Sequence, residues 1–365
     1  MGRKKMIFLT VILAVAVLFM RTLFYKTVFL LLLFLLWRKI LIKKIPERYH
    51  RWTIRGIWII LALTLFVTLP RWRIHTNDRV QLVYFNANGD NKHAPIGHWL
   101  LNAVLPEAEI MNFGITGVRI SALFGIHSDN VFVRQAQEDA RAWKLGNFFK
   151  PYRHLGLNNP ISGVYPQLFN EIFGTNHDAA YICRPKCYDS ETSYPLVVFC
   201  HGYLGNWQLY QGVLKDLDKA VVISIGTRDL KGIFSSKDID KVFKFYIPAL
   251  ERMGYRIDHK QIHMVGLSNG GSAISVAMRS GQCSKFKSLT SISCNLNAVC
   301  KIPCQINLIG GGKDGSSNRM PQQYRQLKNI GVDAALLFEK EENHFFFAYK
   351  REEITDFLKS RMEID

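Results

Sequence analysis

The chain has 365 residues, of which 48% are hydrophobic, and it carries a formal net charge of +18. Its length accommodates one large domain together with additional segments. The positive charge is concentrated at the amino terminus, because residues 1–79 contribute +13 and residues 80–365 only +5. A charge excess confined to one end, beside apolar stretches, argues against a nucleic-acid binder.

The amino-terminal part contains three apolar stretches, at residues 6–20, 27–37 and 56–69. Each is short of the roughly 20 residues that a membrane-spanning helix needs, but flanking residues lengthen them. A cleaved signal peptide is the alternative for the first stretch, since the basic residues Arg3-Lys4-Lys5 precede it. No small-residue cleavage site follows, however, and two more apolar stretches do. The pattern therefore predicts a membrane anchor of three transmembrane helices in residues 1–79.

The distribution of basic residues predicts an orientation for this anchor. Seven lysines and arginines lie between the second and third stretches, whereas only Arg21 and Lys26 lie between the first and second. Because loops rich in lysine and arginine stay in the cytoplasm, the amino terminus and residues 38–55 are expected inside. Three spans then predict a multi-pass membrane protein whose larger part is extracytoplasmic. Two spans would leave that part in the cytoplasm.

Residues 80–192 show the least regular pattern of the chain. Residues 80–85 have the composition of a strand, and a turn-forming sequence rich in Asn, Gly and Asp follows them. Residues 135–148 interleave alanine with charged residues and predict a helix. We interpret this part as an extension that supplies early strands and a lid or side wall to the domain formed by residues 193–365.

From residue 194 onward, short apolar runs alternate with amphipathic stretches. The predicted strands are residues 196–200, 220–225, 262–266, 288–293, 305–309 and 334–338. The predicted helices are residues 207–217, 239–253, 270–280, 321–330 and 352–362. Continuous apolar strands alternating with helices are typical of a mostly parallel sheet covered by helices on both faces. The predicted fold class is therefore α/β.

The sequence Gly266-Leu267-Ser268-Asn269-Gly270 lies between a predicted strand and a predicted helix. This is the context in which a G-x-S-x-G motif exposes its serine at the end of a strand. The glycines on both sides remove side chains that would collide in so tight a turn. The motif alone is common by chance, but its context makes Ser268 a candidate nucleophile.

A serine hydroxyl needs a base to become nucleophilic, and the base needs an acid to orient it. If the chain order is serine, acid, histidine, then His344 is the base, because it is the one histidine after Ser268. The acid is expected to be Asp314, which lies in the glycine-rich loop just past the predicted strand 305–309. Asp333 precedes a strand, and the glutamates near His344 have the pattern of a solvated turn.

An oxyanion hole requires two N–H groups that point at the developing negative charge. The residue after the nucleophile, Asn269, would supply one. The second is expected from the loop Cys200-His201-Gly202-Tyr203. Gly202 permits a tight turn there, so the backbone N–H of Tyr203 is the candidate, and His201 is interpreted as structural.

Four motifs in order, HGYLGN, GLSNGG, GGGKDG and ENHFF, resemble those of the α/β-hydrolase superfamily, particularly its esterase and serine-peptidase-like members. The resemblance covers residues 194–365. It implies the α/β-hydrolase fold, a triad of Ser268, Asp314 and His344, and acyl transfer through an acyl-enzyme that water hydrolyses. It leaves the substrate open.

Three functions are compatible with these residues. The first is a membrane-anchored serine hydrolase acting on small-molecule or lipid carboxylic esters. The second is a serine peptidase for short peptides, for which Asp90, Glu107 and Glu109 are candidate carboxylates to hold a substrate amine. The third is an inactive, membrane-tethered binding module. No metal or organic cofactor and no nucleic-acid partner are predicted.

The chain contains seven cysteines, four of which form two closely spaced pairs. Two C-x3-C pairs, Cys183 with Cys187 and Cys300 with Cys304, could form disulfides if that part of the chain lies outside the cell. A zinc site from these four is the weaker interpretation, because no histidine lies beside them.

Overall fold

The computed structural model describes residues 3–19, 23–43, 47–68, 79–105, 107–126, 128–142, 162–214 and 216–364. Nine strands form one sheet: β1 Val80–Phe85, β2 Asn91–Lys92, β3 Asp178–Cys183, β4 Tyr194–Cys200, β5 Val221–Ile225, β6 Ile257–Leu267, β7 Ser288–Ile292, β8 Gln305–Gly311 and β9 Ala334–Glu339. Their spatial order is β2-β1-β3-β5-β4-β6-β7-β8-β9. Strand β1 is antiparallel to β2 and β3, and β3 is antiparallel to β5; the remaining pairs are parallel.

The helices of the described residues are α1 Arg3–Phe19, α2 Leu23–Lys43, α3 Glu47–Thr68, α4 Ile96–Val104, α5 Glu107–Leu123, α6 Val131–Arg141, α7 Val164–Phe173, α8 Gln208–Gln211, α9 Ser236–Lys241, α10 Ile247–Arg252, α11 Ser272–Arg279, α12 Met320–Asn329 and α13 Arg351–Met362. A π-helical segment, Val242–Tyr246, joins α9 to α10, so residues predicted as one helix form a continuous but irregular one. The predicted helix at 207–217 is shorter than expected. It gives way at Gly212 to a 3-10 turn, in keeping with the low helix propensity of glycine.

The core lies on both faces of the central strands. In β4, Leu196, Val198 and Cys200 face one apolar cluster, and Val197 and Phe199 face the other. Helices α9 to α12 cover the first face, whereas α13 and the segment after α8 cover the second. This arrangement explains why the central strands are continuously apolar, and it confirms the predicted α/β class with a mostly parallel sheet.

The parallel strands bring the candidate site together. In parallel pairs the carboxyl ends of the strands lie at one edge of the sheet, and Cys200 at the end of β4 pairs with Gly266 near the end of β6. The loops after β4, β6, β8 and β9 therefore meet at this edge, although they are far apart in sequence.

The prediction of a three-span membrane anchor is wrong. None of the helices in the described part of the chain combines the length and the apolar character that crossing a bilayer requires. Helix α1 has 17 residues, and α2 contains four lysines and arginines among its 21. In α3 the charged residues Glu47, Arg48, Arg51 and Arg55 occupy the first turns. The multi-pass, extracytoplasmic assignment fails with these spans.

The seven cysteines are free thiols in the structure. The pairs Cys183/Cys187 and Cys300/Cys304 are not bonded. Among the residues that the structure describes, no group of three or more His, Cys, Asp or Glu side chains is arranged to hold a metal ion.

Candidate active site

Ser268 is held in a strained turn between β6 and α11. Its φ of 54° lies in the left-handed region, which a residue other than glycine rarely adopts. The flanking glycines are required by close approach. A Cβ on Gly266 would collide with the carbonyl oxygen of Gly270, and a Cβ on Gly270 would collide with the carbonyl oxygens of Cys200 and His201. The turn therefore needs glycine on both sides of a serine whose hydroxyl is left at the strand end.

Ser268, His344 and Asp314 form a continuous hydrogen-bonded chain. The distance between His344 Nε2 and Ser268 Oγ is 3.0 Å, and that between His344 Nδ1 and Asp314 Oδ2 is also 3.0 Å. A carboxylate only accepts hydrogen bonds, so Nδ1 carries the imidazole proton and Nε2 has the lone pair that faces the serine hydroxyl. This is the tautomer that a general base for Ser268 requires.

Asp314 is almost fully buried, with 1% of its surface exposed. Burial acts to raise the pKa of this carboxyl, but the hydrogen bonds it accepts outweigh burial and hold its pKa below the usual value. The donors are His344 Nδ1, the Ser316 N–H at 2.9 Å and the Ser317 hydroxyl at 2.8 Å. The carboxylate is therefore ionised and fixed in direction near neutral pH.

The glycine run before Asp314 allows the loop that carries the candidate acid, Asp314, to pack against the loop that carries the candidate base, His344. A Cβ on Gly311 would collide with the carbonyl oxygen of Glu342, and one on Gly312 with that of Lys340. The N–H of Lys313 donates to the Glu342 carbonyl at 2.9 Å. The GGGKDG motif thus brings two loops into backbone contact, one from the end of β8 and one from the end of β9.

The candidate oxyanion-hole segments both adjoin Ser268. A Cβ on Gly202 would lie 3.2 Å from the Cβ of Ser268, so the chain after β4 passes directly beside the serine. Tyr203 follows Gly202. Asn269 directly follows Ser268, and its side-chain amide donates to the Lys231 carbonyl at 2.8 Å.

His201 is a structural histidine. It is fully buried, and burial lowers its pKa to about 4. Its Nδ1 donates to the Gly202 carbonyl at 2.7 Å, so Nε2 accepts, from the Gln167 amide at 2.6 Å and the Thr227 N–H at 3.3 Å. With its lone pair already engaged, His201 does not compete with His344 as a base.

Exposed apolar side chains lie on the segment that passes beside Ser268 and on the helix beside His344. Tyr203 and Leu204, which follow Gly202, are each more than half exposed although they are large. The ring of Phe132 in α6 packs edge-on against His344, with 4.8 Å between ring centroids. These side chains give the approach to Ser268 an apolar surface.

One cavity formed by the described residues contains none of the three candidate catalytic side chains. It has a volume of about 520 Å³ and lies at the carboxyl end of β5. Charged residues, among them Asp178, Arg228 and Lys241, line it. Gln167 and Thr227, which contact His201, are among the residues that line it. We therefore place the site at the open strand edge and not in this cavity.

Two of the carboxylates considered for binding a substrate amine are used in other contacts. Glu107 is buried and accepts hydrogen bonds from the Tyr181 hydroxyl, the Ser162 hydroxyl and the Gln208 N–H. Asp90 forms an ion pair with Arg252 at 3.5 Å. The side chain of Glu109 lies outside the described residues.

Sequence reasoning missed the contribution of α6 to the site. The helix was expected at residues 135–148, but it begins at Val131, and residues 143–148 lie outside the described residues. The signal that could have located its start is Asn130, whose side chain accepts hydrogen bonds from the N–H groups of Phe132 and Val133 as an N-cap. No sequence pattern indicated that this helix reaches the histidine.

No protein-family profile and no curated protein matches the sequence. Solved structures resemble the chain at low identity. A ferulic acid esterase is 15% identical over 52% of this chain and 93% of its own, with a TM-score of 0.44. An esterase from the archaeon Pyrobaculum calidifontis is 16% identical over 52% and 82%, with a TM-score of 0.41. The acylaminoacyl peptidase of Pyrococcus horikoshii is 14% identical over 51% of this chain and 40% of its own, with a TM-score of 0.41.

Proposed function

We propose that the protein is a serine hydrolase that cleaves carboxylic esters through an acyl-enzyme on Ser268. The observation that carries this proposal is the hydrogen-bonded chain from Asp314 through His344 to Ser268, with both distances at 3.0 Å. The strained backbone of Ser268 supports it, because strain of this kind persists where the surrounding structure enforces it and is typical of active sites.

In acylation, His344 Nε2 takes the proton of the Ser268 hydroxyl while Oγ bonds to the ester carbonyl carbon. The π electrons of the carbonyl move onto its oxygen, and the N–H groups of Tyr203 and Asn269 are proposed to stabilise that charge. The tetrahedral intermediate then collapses and breaks the bond to the alcohol, which leaves with the proton held on His344. Asp314 stabilises the imidazolium while it exists.

In deacylation, water replaces the alcohol. The oxygen of the water attacks the acyl carbon while His344 takes one of the protons of that water. The N–H groups of Tyr203 and Asn269 are proposed to bind the oxyanion of this second tetrahedral intermediate. Collapse of this intermediate releases the carboxylic acid and returns the proton to Ser268. The cycle requires only groups that lie along the Ser268 edge of the sheet.

An apolar ester fits this surface better than a peptide with a charged amino terminus. The exposed side chains of Phe132, Tyr203 and Leu204 can bury an acyl or alcohol group. A peptidase would need a carboxylate to bind the amine, and Glu107 and Asp90 are engaged in contacts with other residues of the chain. We therefore propose an ester with at least one apolar part as the substrate.

The test is modification of the purified full-length chain by a fluorophosphonate probe, followed by mapping of the labelled peptide. We expect the adduct on Ser268 and none in Ser268→Ala. A parallel assay compares p-nitrophenyl esters with p-nitroanilides of short peptides, and we expect turnover of the esters. In Ser268→Ala, ester turnover should fall by at least about 10³-fold.

Two results would change the assignment. Faster cleavage of the anilides than of the esters would replace the esterase by a peptidase with the same nucleophile. A correctly folded protein that neither reacts with the probe nor hydrolyses either substrate would contradict the catalytic proposal. The inactive binding module would then be the better assignment.

A further inference from the structure

Helix α6 lies against the two loops that carry the acid and the base, although it comes from the least regular part of the sequence. Its Phe132 ring packs against His344. One helical turn later, Gln135 points inward and is 8% exposed. Next on this face, Asp139 accepts a hydrogen bond from the Asn343 amide at 2.9 Å. A single face of the helix thus meets the residues next to the candidate base.

The side-chain amide of Gln135 bridges the two loops. Its Nε2 donates to the backbone carbonyl of Lys313 at 2.9 Å, and its Oε1 accepts from the backbone N–H of His344 at 3.3 Å. Lys313 directly precedes Asp314. One buried side chain therefore holds the backbone of the base and the backbone beside the acid, which are about 30 residues apart in sequence.

These contacts use both functions of an amide. A carboxylate at the same position could accept from His344 but could not donate to the Lys313 carbonyl, and an apolar side chain could do neither. The carbonyl of Lys313 and the N–H of His344 both lie in loops, so hydrogen bonds of regular secondary structure do not fix their positions. Small displacements in such a site are costly, since a shift of about 1 Å can lower the rate about 100-fold.

We propose that Gln135 is a positioning residue, which sets the relation of His344 to Asp314 and Ser268 by joining their loops through its side-chain amide. The inference rests on the proposed hydrolase function for its kinetic consequence. Its structural consequence, the fixed orientation of the His344 imidazole, can be measured independently of any substrate.

The chain contains a matched control on the same helix. Gln137 is also buried, at 3% exposure, and its Nε2 donates to the Ser121 hydroxyl at 2.8 Å and to the Ile126 carbonyl at 2.7 Å. These contacts join α6 to α5 and its following turn, away from the loops of the site. Gln137→Leu therefore removes a comparable pair of buried hydrogen bonds without touching the acid or the base.

The experiment compares Gln135→Leu and Gln135→Glu with Gln137→Leu in the full-length chain. For each we would measure kcat and KM on a p-nitrophenyl ester, the rate of fluorophosphonate labelling, and thermal stability. The NMR signal of the His344 Nδ1 proton, assigned with a His344→Gln variant, reports the hydrogen bond to Asp314. We expect Gln135→Leu to lower kcat and the labelling rate about 10- to 100-fold with little change in KM, and to shift or broaden the Nδ1 signal.

Gln137→Leu should lose similar thermal stability but keep kcat within about twofold and leave the imidazole signal in place. Gln135→Glu, which keeps one contact, should fall between wild type and Gln135→Leu and covers the case that the leucine variant does not fold. Equal losses of kcat in the Gln135 and Gln137 variants, or an unchanged Nδ1 signal in the Gln135 variants, would overturn the positioning role. A wild type that neither reacts with the probe nor hydrolyses the ester or the anilides, but whose Nδ1 signal still depends on Gln135, would refute the hydrolase proposal and leave the positioning role standing.

Discussion

At the scale of single residues, the candidate site combines one strained backbone position with one strongly oriented carboxylate. Ser268 has a left-handed backbone conformation, which costs about 1–3 kcal/mol and is tolerated because glycines on both sides allow close packing. Asp314 is oriented by three donors. Each residue has a structural reason to occupy its position that is independent of any similarity to another protein.

Replacement of Asp314 by asparagine tests this orientation directly. An asparagine amide can donate to His344 Nδ1 and so favour the tautomer that has its proton on Nε2, which cannot accept from Ser268. We expect kcat/KM for an ester to fall by roughly 10⁴-fold in Asp314→Asn. Ser317→Ala, which removes one of three hydrogen bonds to the carboxylate, should lower it by about tenfold or less. Similar rates for the wild type and Asp314→Asn would show that Asp314 does not serve as the acid.

At the scale of secondary-structure elements, residues 79–142 and 162–183 are part of the same fold as the residues that follow. Strands β1, β2 and β3 extend the sheet, and helices α5, α6 and α7 build a separate apolar cluster above it with Trp207 and Leu209. Glu107 joins this layer to the sheet, since it is buried and accepts from Tyr181 in β3 and from the N–H of Gln208 at the start of α8.

Glu107 is therefore expected to be a stability determinant. Glu107→Leu removes the acceptor for several buried donors, each of which costs about 1–3 kcal/mol when left unpaired. We expect urea unfolding to show a loss of several kcal/mol for Glu107→Leu and a smaller loss for Glu107→Gln, which keeps one acceptor oxygen. Glu191→Gln on the exposed surface is the control and should change little. Equal stability of the Glu107→Leu variant and the wild type would contradict the role of this carboxylate in joining the layers.

At the scale of the whole molecule, buried histidines make the stability sensitive to mild acid. The pKa values of His98, His201 and His263 are each lowered to about 4, chiefly by burial and, for His98, also by the nearby His177 and Lys92. In the unfolded chain these histidines have their ordinary pKa near 6.5. The unfolded state therefore binds more protons than the folded state between these two values.

The sign of this effect predicts a loss of stability as the pH falls from about 6.5 to about 4. The contribution of these histidines is fully present above pH 6.5, and each proton taken up on unfolding lowers the free energy of unfolding by about 1.4 kcal/mol per pH unit. The slope of the free energy of unfolding against pH, measured by urea unfolding, gives the number of protons taken up on unfolding. Near pH 5 these three histidines should contribute nearly three protons to that number, in addition to the contribution of other titrating groups. His263→Gln should remove about one of them. A slope that is unchanged in His263→Gln would contradict the assignment.

Much of the fold is predictable from local patterns. The strands predicted from residue 194 onward agree with the structure within a few residues, except that β6 begins five residues earlier. Their short length and the turn residues that bound them separate these apolar runs from helices. The apolar helices at the amino terminus were correctly located but wrongly interpreted as membrane spans. Hydropathy alone does not separate a helix that crosses a bilayer from a shorter or more charged one.

The sequence by itself determined the candidate residues Ser268, Asp314 and His344, because the motif, the chain order and the position after each strand leave few alternatives. Only the tertiary structure decided their distances, the tautomer of His344 and the place of Gln135. A glutamine that bonds to two backbone groups has no sequence signature, since its partners are peptide groups that every residue carries. Contacts of that kind are set by how the chain folds back on itself.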